Sequence, residues 1–197
     1  MTRPTLVFDL DGTLVHSAPD ILGTLDHILD REGIARLPHD DALPHVGSGA
    51  RVLLQRAFKA LQIPLSEERL QTLFTDFLAH YETRIAQESH LFFGAETALS
   101  TLRAEGHRLA ICTNKTEKLA RLLIDRLNAS HHFDAICGRD SFAYQKPDGR
   151  HIISTIKAAG GVNLETPSVK HNGVEIGTPH THSGVVRGGD KTGGVSG

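Results

Sequence analysis

The chain has 197 residues, 39% hydrophobic and 22% charged, with a formal net charge of -2. That suffices for one globular core with room for an inserted module, and it excludes the broad cationic footprint that nucleic-acid binding requires. No apolar run approaches the roughly twenty residues of a membrane span, and no signal-like apolar region follows "MTRPT", so a cytoplasmic protein without a membrane partner is expected.

The first element is the apolar run Leu6-Val7-Phe8, which reads as a short buried strand. It opens into "DLDGT", where Gly12 and Thr13 read as a turn and Asp9 and Asp11 place two carboxylates at the strand's exit. Strand ends are where α/β proteins collect ligands, so this pair is a candidate site, although Asp and Gly are also common residues of solvated turns. From Pro19 to Gly33 the residues Ile21, Leu22, Leu25, Ile28 and Leu29 recur at helical spacing. "SGARVLLQRAFKAL" and "SEERLQTLFTDFLAHYETRI" repeat that period, so residues 18 to 87 read as all-helical.

Beyond "LFFG" the period alternates. Helices are expected over 95–105, 116–128 and 150–159, with strands at "RLAICT" and "DAIC" between them. Alternating strand and helix implies a parallel sheet, so the expected architecture is a doubly wound α/β core opened after its first strand by a helical insertion. The expected boundaries are 1–16 plus 88–161 for the core, 17–87 for the helical cap and 162–197 for an atypical, disordered tail. Cys112 and Cys137 lie in apolar runs and are assigned to packing as free thiols.

Two further stretches carry chemistry. "ICTNK" places Thr113 and Asn114 at a strand-to-helix turn, where a hydroxyl and backbone N–H groups can hold an anion such as phosphate. "QKPDG" supplies Lys146, whose ammonium can neutralise phosphate charge and hold a nearby carboxylate. Each stretch alone is a common turn or loop, and their order is the informative feature.

Taken together, "DLDGTLVHS", "ICTNK" and "QKPDG" resemble the successive motifs of the haloacid dehalogenase superfamily. "HVGSGARVLLQRAF" and "LFFGAETALSTLRAEGHRLAICTNKTEKLA" look like its phosphoglycolate phosphatases in particular. The resemblance runs from about residue 5 to residue 160. It implies a phosphatase of a small phosphorylated metabolite, most of all 2-phosphoglycolate, with Asp9 as nucleophile and Asp11 as the acid and base. Thr113 and Lys146 would be catalytic, and Gly12, Arg51 and Asn114 would contact substrate. Mg²⁺ would be held by the Asp9 carboxylate and the Asp11 carbonyl. Arg51, in the Gly-rich "VGSGAR" of the cap, would pair with a substrate carboxylate. The alternatives are a catalytically impaired binding or regulatory relative, and a phosphomutase that returns the phosphoryl group to a sugar hydroxyl. Oligomeric state is not legible.

The resemblance ends before a fourth motif. An apolar strand closing on Gly-Asp should follow Lys146 by about two dozen residues. The chain instead has "TPSVKHNGVEIGTPHTHSGVV", and from Val162 onward it is rich in Gly, His, Thr and Ser with no aromatic residue. If Lys170, His171 and Asn172 are encoded AAG CAT AAT, a one-base shift reads Ser-Ile-Met, so a shifted reading frame is one expectation for the tail. The other is a natural divergent tail with Asp190 as a late metal ligand. His171, His180 and His182 invite a zinc reading, which a tail without Cys or scaffold does not support.

Overall fold

In the computed structural model, residues 3–160 are described, together with two short strands beyond them. The chain divides into two compact units, Met1–Val162 and Asn163–Gly197.

In the first unit β1 (Thr5–Phe8) runs parallel to β4 (Arg108–Cys112), and β4 runs parallel to β5 (Ala135–Cys137), giving the order β1-β4-β5. Thr5 faces Arg108 and Phe8 faces Ile111, while Cys112 pairs with Cys137. Because side chains alternate across a strand, the two faces divide the apolar residues. Leu109, Ile111 and Ile136 pack with Leu99 of α5 (Ala95–Ala104) and with Leu119, Leu123 and Ile124 of α6 (Glu117–Arg126). Ala110, Ala135 and Cys137 belong to a second cluster with Ala159, at the end of α7 (Gly149–Ala158). Both faces of the sheet are therefore covered by helices, which is the doubly wound arrangement expected from the alternating periods. Both cysteines are free and buried, and burial pushes both thiols up from their ordinary value. Among the described residues β1 pairs only with β4, and its four residues are half-buried.

Between β1 and α5 lies the insertion. Its two connecting segments pair with each other as antiparallel β2 (Val15–His16) and β3 (His90–Leu91). Between these strands stand α1 (Ala18–Arg31), α2 (His39–Ala42), α3 (Ala50–Ala60) and α4 (Glu67–Arg84). The sequence periods anticipate α1, α3 and α4 but not α2 or the 3₁₀ turn Leu43–Ser48, where "LPHVGS" offers too few residues for any period to appear. Phe58, Phe77 and Tyr81 are fully or almost fully buried among these helices. Each such large side chain contributes about 1.5–3 kcal/mol on burial, and all three belong to the same apolar cluster as Leu109 and Ile111 of the sheet. The insertion's entry and exit are tied by Asp20, a buried carboxylate of the first turn of α1. Asp20 accepts from the backbone N–H groups of Glu88 and Ser89 and from the Ser89 hydroxyl, the last at 2.6 Å.

In the second unit β6 (Lys170–His171) and β7 (Val174–Glu175) pair antiparallel. These four residues pair where a disordered tail is expected, and the rest of 162–197, with Asp190 as a ligand, lies outside the described residues. No described helix is long and apolar enough to cross a membrane.

Candidate active site

Three strand-end loops meet at one edge of the sheet. Asp9 follows β1 directly, and its Oδ1 accepts from the Leu10 N–H at 2.8 Å and from Lys146 Nζ at 2.8 Å. The Lys146 pair joins residues 137 positions apart, and it brings the first and third sequence motifs into contact. Asp11 lies deeper, with a side chain 7% exposed, and its Oδ1 accepts from Ser17 Oγ at 2.6 Å. Thr113 is buried at the end of β4, with its Oγ1 accepting the Lys115 N–H at 3.2 Å. The adjacent Asn114 N–H makes no backbone hydrogen bond among the described residues, and its side-chain oxygen is buried without a partner. Gly12 spends its N–H on the Val15 carbonyl at 2.9 Å with φ +79°, so its contribution is the shape of the turn that presents Asp11.

The cap comes down on this edge through its Gly-rich turn. A Cβ on Gly47 would lie 3.7 Å from the Asp11 carbonyl oxygen, and one on Gly49 would lie 3.3 Å from the Asn114 carbonyl oxygen. Gly49 also has φ +92°, a backbone conformation that side chains disfavour, so this position requires glycine on two counts. Gly47, Ser48, Arg51 and Val52 of the cap line a cavity of about 470 Å³ together with Asn114, Arg139, Lys146 and Pro147 of the core. Arg51 faces that cavity, but its guanidinium also binds Gln71 Oε1 at 2.8 Å and pairs with Glu67.

Two residues of this edge escape sequence reasoning. Lys115, the last residue of "ICTNK", has a side chain only 7% exposed, and its ammonium lies 3.3 Å from Asp11 Oδ1 and 3.1 Å from the Tyr81 hydroxyl of the cap. Burial alone would push the Lys115 ammonium down, but the Asp11 carboxylate and the Tyr81 hydroxyl outweigh it and hold the group above the usual lysine value. Tyr81 is pushed up by burial, against the opposing pull of Lys115. Arg139 is the second, carried on the loop after β5. In sequence, both are ordinary loop cations, and only the arrival of α4 over them gives them a site.

Asp9 Oδ2 and the Asp11 main-chain carbonyl make no hydrogen bond among the described residues, and Gly47 leaves the space beside that carbonyl without a side chain. Two oxygen donors of this kind fit Mg²⁺, which prefers hard oxygen ligands and retains several waters. No third carboxylate joins them among the described residues. Among the described residues the one cluster of three potential metal-ligating side chains is elsewhere, at Glu96, His131 and His132. In it the buried His132 ring pairs with Glu96 Oε1 at 2.7 Å, an arrangement that a neutral structural histidine also makes.

Residues 6–168 match the family described as haloacid dehalogenase-like hydrolase. A phosphoglycolate phosphatase of Agrobacterium fabrum is 42% identical over 158 residues, covering 80% of this chain and 68% of that protein. One of Caulobacter vibrioides is 45% identical over 157 residues, covering 80% of this chain and 66% of that protein. The chain thus spans about two thirds of the length of these curated relatives. Among solved structures, a protein of Haemophilus somnus 129PT described as a predicted phosphoglycolate phosphatase superposes with TM-score 0.73 at 28% identity. That match covers 82% of this chain and 74% of the other. The chain belongs to the haloacid dehalogenase-like hydrolases, and its curated relatives there are phosphatases.

Proposed function

We propose that the chain is a Mg²⁺-dependent phosphatase of small phosphate monoesters that carry a carboxylate, with 2-phosphoglycolate the leading substrate. The observation that carries this reading is the 2.8 Å contact of Lys146 Nζ with Asp9 Oδ1, at the edge where Thr113 and Asn114 also end a strand. A lysine held on a half-exposed carboxylate beside a polar turn is the arrangement a phosphate dianion requires.

Asp9 attacks phosphorus and carries the phosphoryl group as an acyl phosphate, while the alkoxide leaves with a proton from Asp11. Asp11 then takes the proton of the attacking water, and hydrolysis of the acyl phosphate regenerates the Asp9 carboxylate. Thr113, the Asn114 N–H and Lys146 stabilise the charge on the transferring group, so catalysis is mainly positioning and electrostatics. Mg²⁺, held by Asp9 and the Asp11 carbonyl, would supply further neutralisation where the carboxylate and the phosphate approach each other. Ser17 and Lys115 fix the orientation of the Asp11 carboxylate, and the cap turn at 47–49 excludes water from the closed site. The names of the curated relatives support the choice of 2-phosphoglycolate.

Release of inorganic phosphate from 2-phosphoglycolate tests the reading directly. Hydrolysis is expected to stop on chelation of Mg²⁺ and to return on its addition. Asp9→Asn is expected to abolish turnover while circular dichroism and the melting temperature stay close to those of the unmodified protein. Sustained turnover by the Asp9→Asn protein would remove Asp9 from the nucleophile's role.

A further inference from the structure

We propose that Arg139 forms the carboxylate-binding subsite of the cavity, ahead of Arg51. This rests on the proposed reading of the substrate as a phosphate ester with a carboxylate. Arg139 lines the cavity that contains Lys146 and Asn114, so it borders the same space as the phosphate-binding groups. Its guanidinium has no acidic partner and no hydrogen bond among the described residues, whereas that of Arg51 is already engaged by Glu67 and Gln71. The adjacent Asp140 forms no ion pair with it, and its Oδ1 accepts the Glu117 N–H at 2.7 Å.

Arg139 is also held in place. Its N–H donates to the Lys115 carbonyl at 2.9 Å. The preceding Gly138 packs so closely that a Cβ there would meet the Glu117 nitrogen at 2.2 Å. The two strand-end loops are thereby locked together, and the side chain leaves from a fixed backbone. From the cap, Phe74 lies under the guanidinium with the ring centroid 5.9 Å from Cζ, the same distance it keeps from Arg51. The aromatic face orients the planar fork without using its N–H groups, which remain available for bidentate binding of a carboxylate.

The experiment compares 2-phosphoglycolate with ethyl phosphate, which keeps the ester and replaces the carboxylate by a methyl group. Arg139→Gln is expected to lower kcat/KM for 2-phosphoglycolate about ten- to hundredfold while leaving ethyl phosphate within about twofold. Arg139→Lys keeps the charge but loses the fork, and is expected to lie between the two. Arg51→Gln is expected to cost 2-phosphoglycolate less than Arg139→Gln does. The same contrast should appear in calorimetric binding of both esters to the Asp9→Asn protein, where no turnover intervenes. Equal losses on the two esters with Arg139→Gln, no loss on either, or the larger selective loss with Arg51→Gln would each overturn the assignment. An unmodified protein that hydrolyses both esters equally well would also overturn it and leave the phosphatase chemistry standing. One that neither binds nor hydrolyses either ester would remove the proposed function itself, and this subsite with it.

Discussion

Lys115 shows how far one residue's meaning depends on its neighbours. In "ICTNK" it follows a turn and reads as a solvated cation. Folded, it is enclosed between the Tyr81 ring, whose centroid lies 4.4 Å from Nζ, and the Asp11 carboxylate 3.3 Å away. Replacing one member of such a buried pair strands the other's charge, which costs about 3–5 kcal/mol. Lys115→Met is therefore expected to lower the melting temperature by roughly 10 °C and to reduce kcat, because the Asp11 carboxylate loses the group that orients it. Differential scanning calorimetry and phosphate release check both effects. A variant with unchanged melting and unchanged kcat would show that the pair is incidental. Asp9 and Thr113 stand at the ends of apolar runs, which is a local signal, and Lys146 is singled out by its place in the order of the three stretches; neither feature marks Lys115 or Arg139 for a particular partner.

At the scale of elements, α7 carries a titratable group that the chemistry does not use. His151 is fully buried beneath the Phe142 ring, with centroids 5.7 Å apart, and neither ring nitrogen has a hydrogen-bond partner among the described residues. Burial holds its pKa below the ordinary value of 6.5, because charging the ring would cost it the solvation it has in water. The neutral ring is the form the fold accepts, so the unfolded chain binds the extra proton between the lowered pKa and 6.5. The stability this ring contributes is fully present above that window and is lost as the pH falls through it. The melting temperature is expected to decline as the pH falls below about 6.5, and His151→Leu should flatten that decline. A decline of the same slope in His151→Leu would assign the acid sensitivity elsewhere. The helix itself was legible from its period, but the burial of His151 was not, because a histidine beside "DGR" reads as exposed.

At the scale of the whole molecule, the proposed Mg²⁺ site has two protein donors among the described residues. In that proposed site the donors are Asp9 and the Asp11 carbonyl, and among the described residues β1 has β4 alone as a neighbour. The shifted-frame account of the tail does not supply a strand ending in Gly-Asp. Continued through Gly173, Val174 and Glu175, the shift that gives Ser-Ile-Met reads codons of the forms GNG, TNG and ARA. The third of these encodes only Lys or Arg, and the second never encodes Gly, so no Gly-Asp pair follows. A chimera carrying the C-terminal segment of the Agrobacterium relative in place of residues 162–197 tests what the tail contributes. It is expected to bind Mg²⁺ about ten- to hundredfold more tightly and to melt higher. If the chain as written binds Mg²⁺ equally well and Asp190→Ala removes that binding, Asp190 is the third ligand.

The sequence by itself determined the class of this protein: a parallel α/β core, a helical insertion after the first strand, and three motifs in family order. It could do so because hydrophobic period and strand-end turns are local properties, written within a dozen residues. Which cation meets which carboxylate was decided only in three dimensions. Lys146 reaches Asp9 across the sheet edge, Arg51 is drawn to Glu67, and α4 brings Tyr81 and Phe74 over Lys115 and Arg139. The physical reason is that charge pairing and desolvation depend on distance in space, and the α4 residues that enclose Lys115 and Arg139 lie more than thirty positions away in the chain.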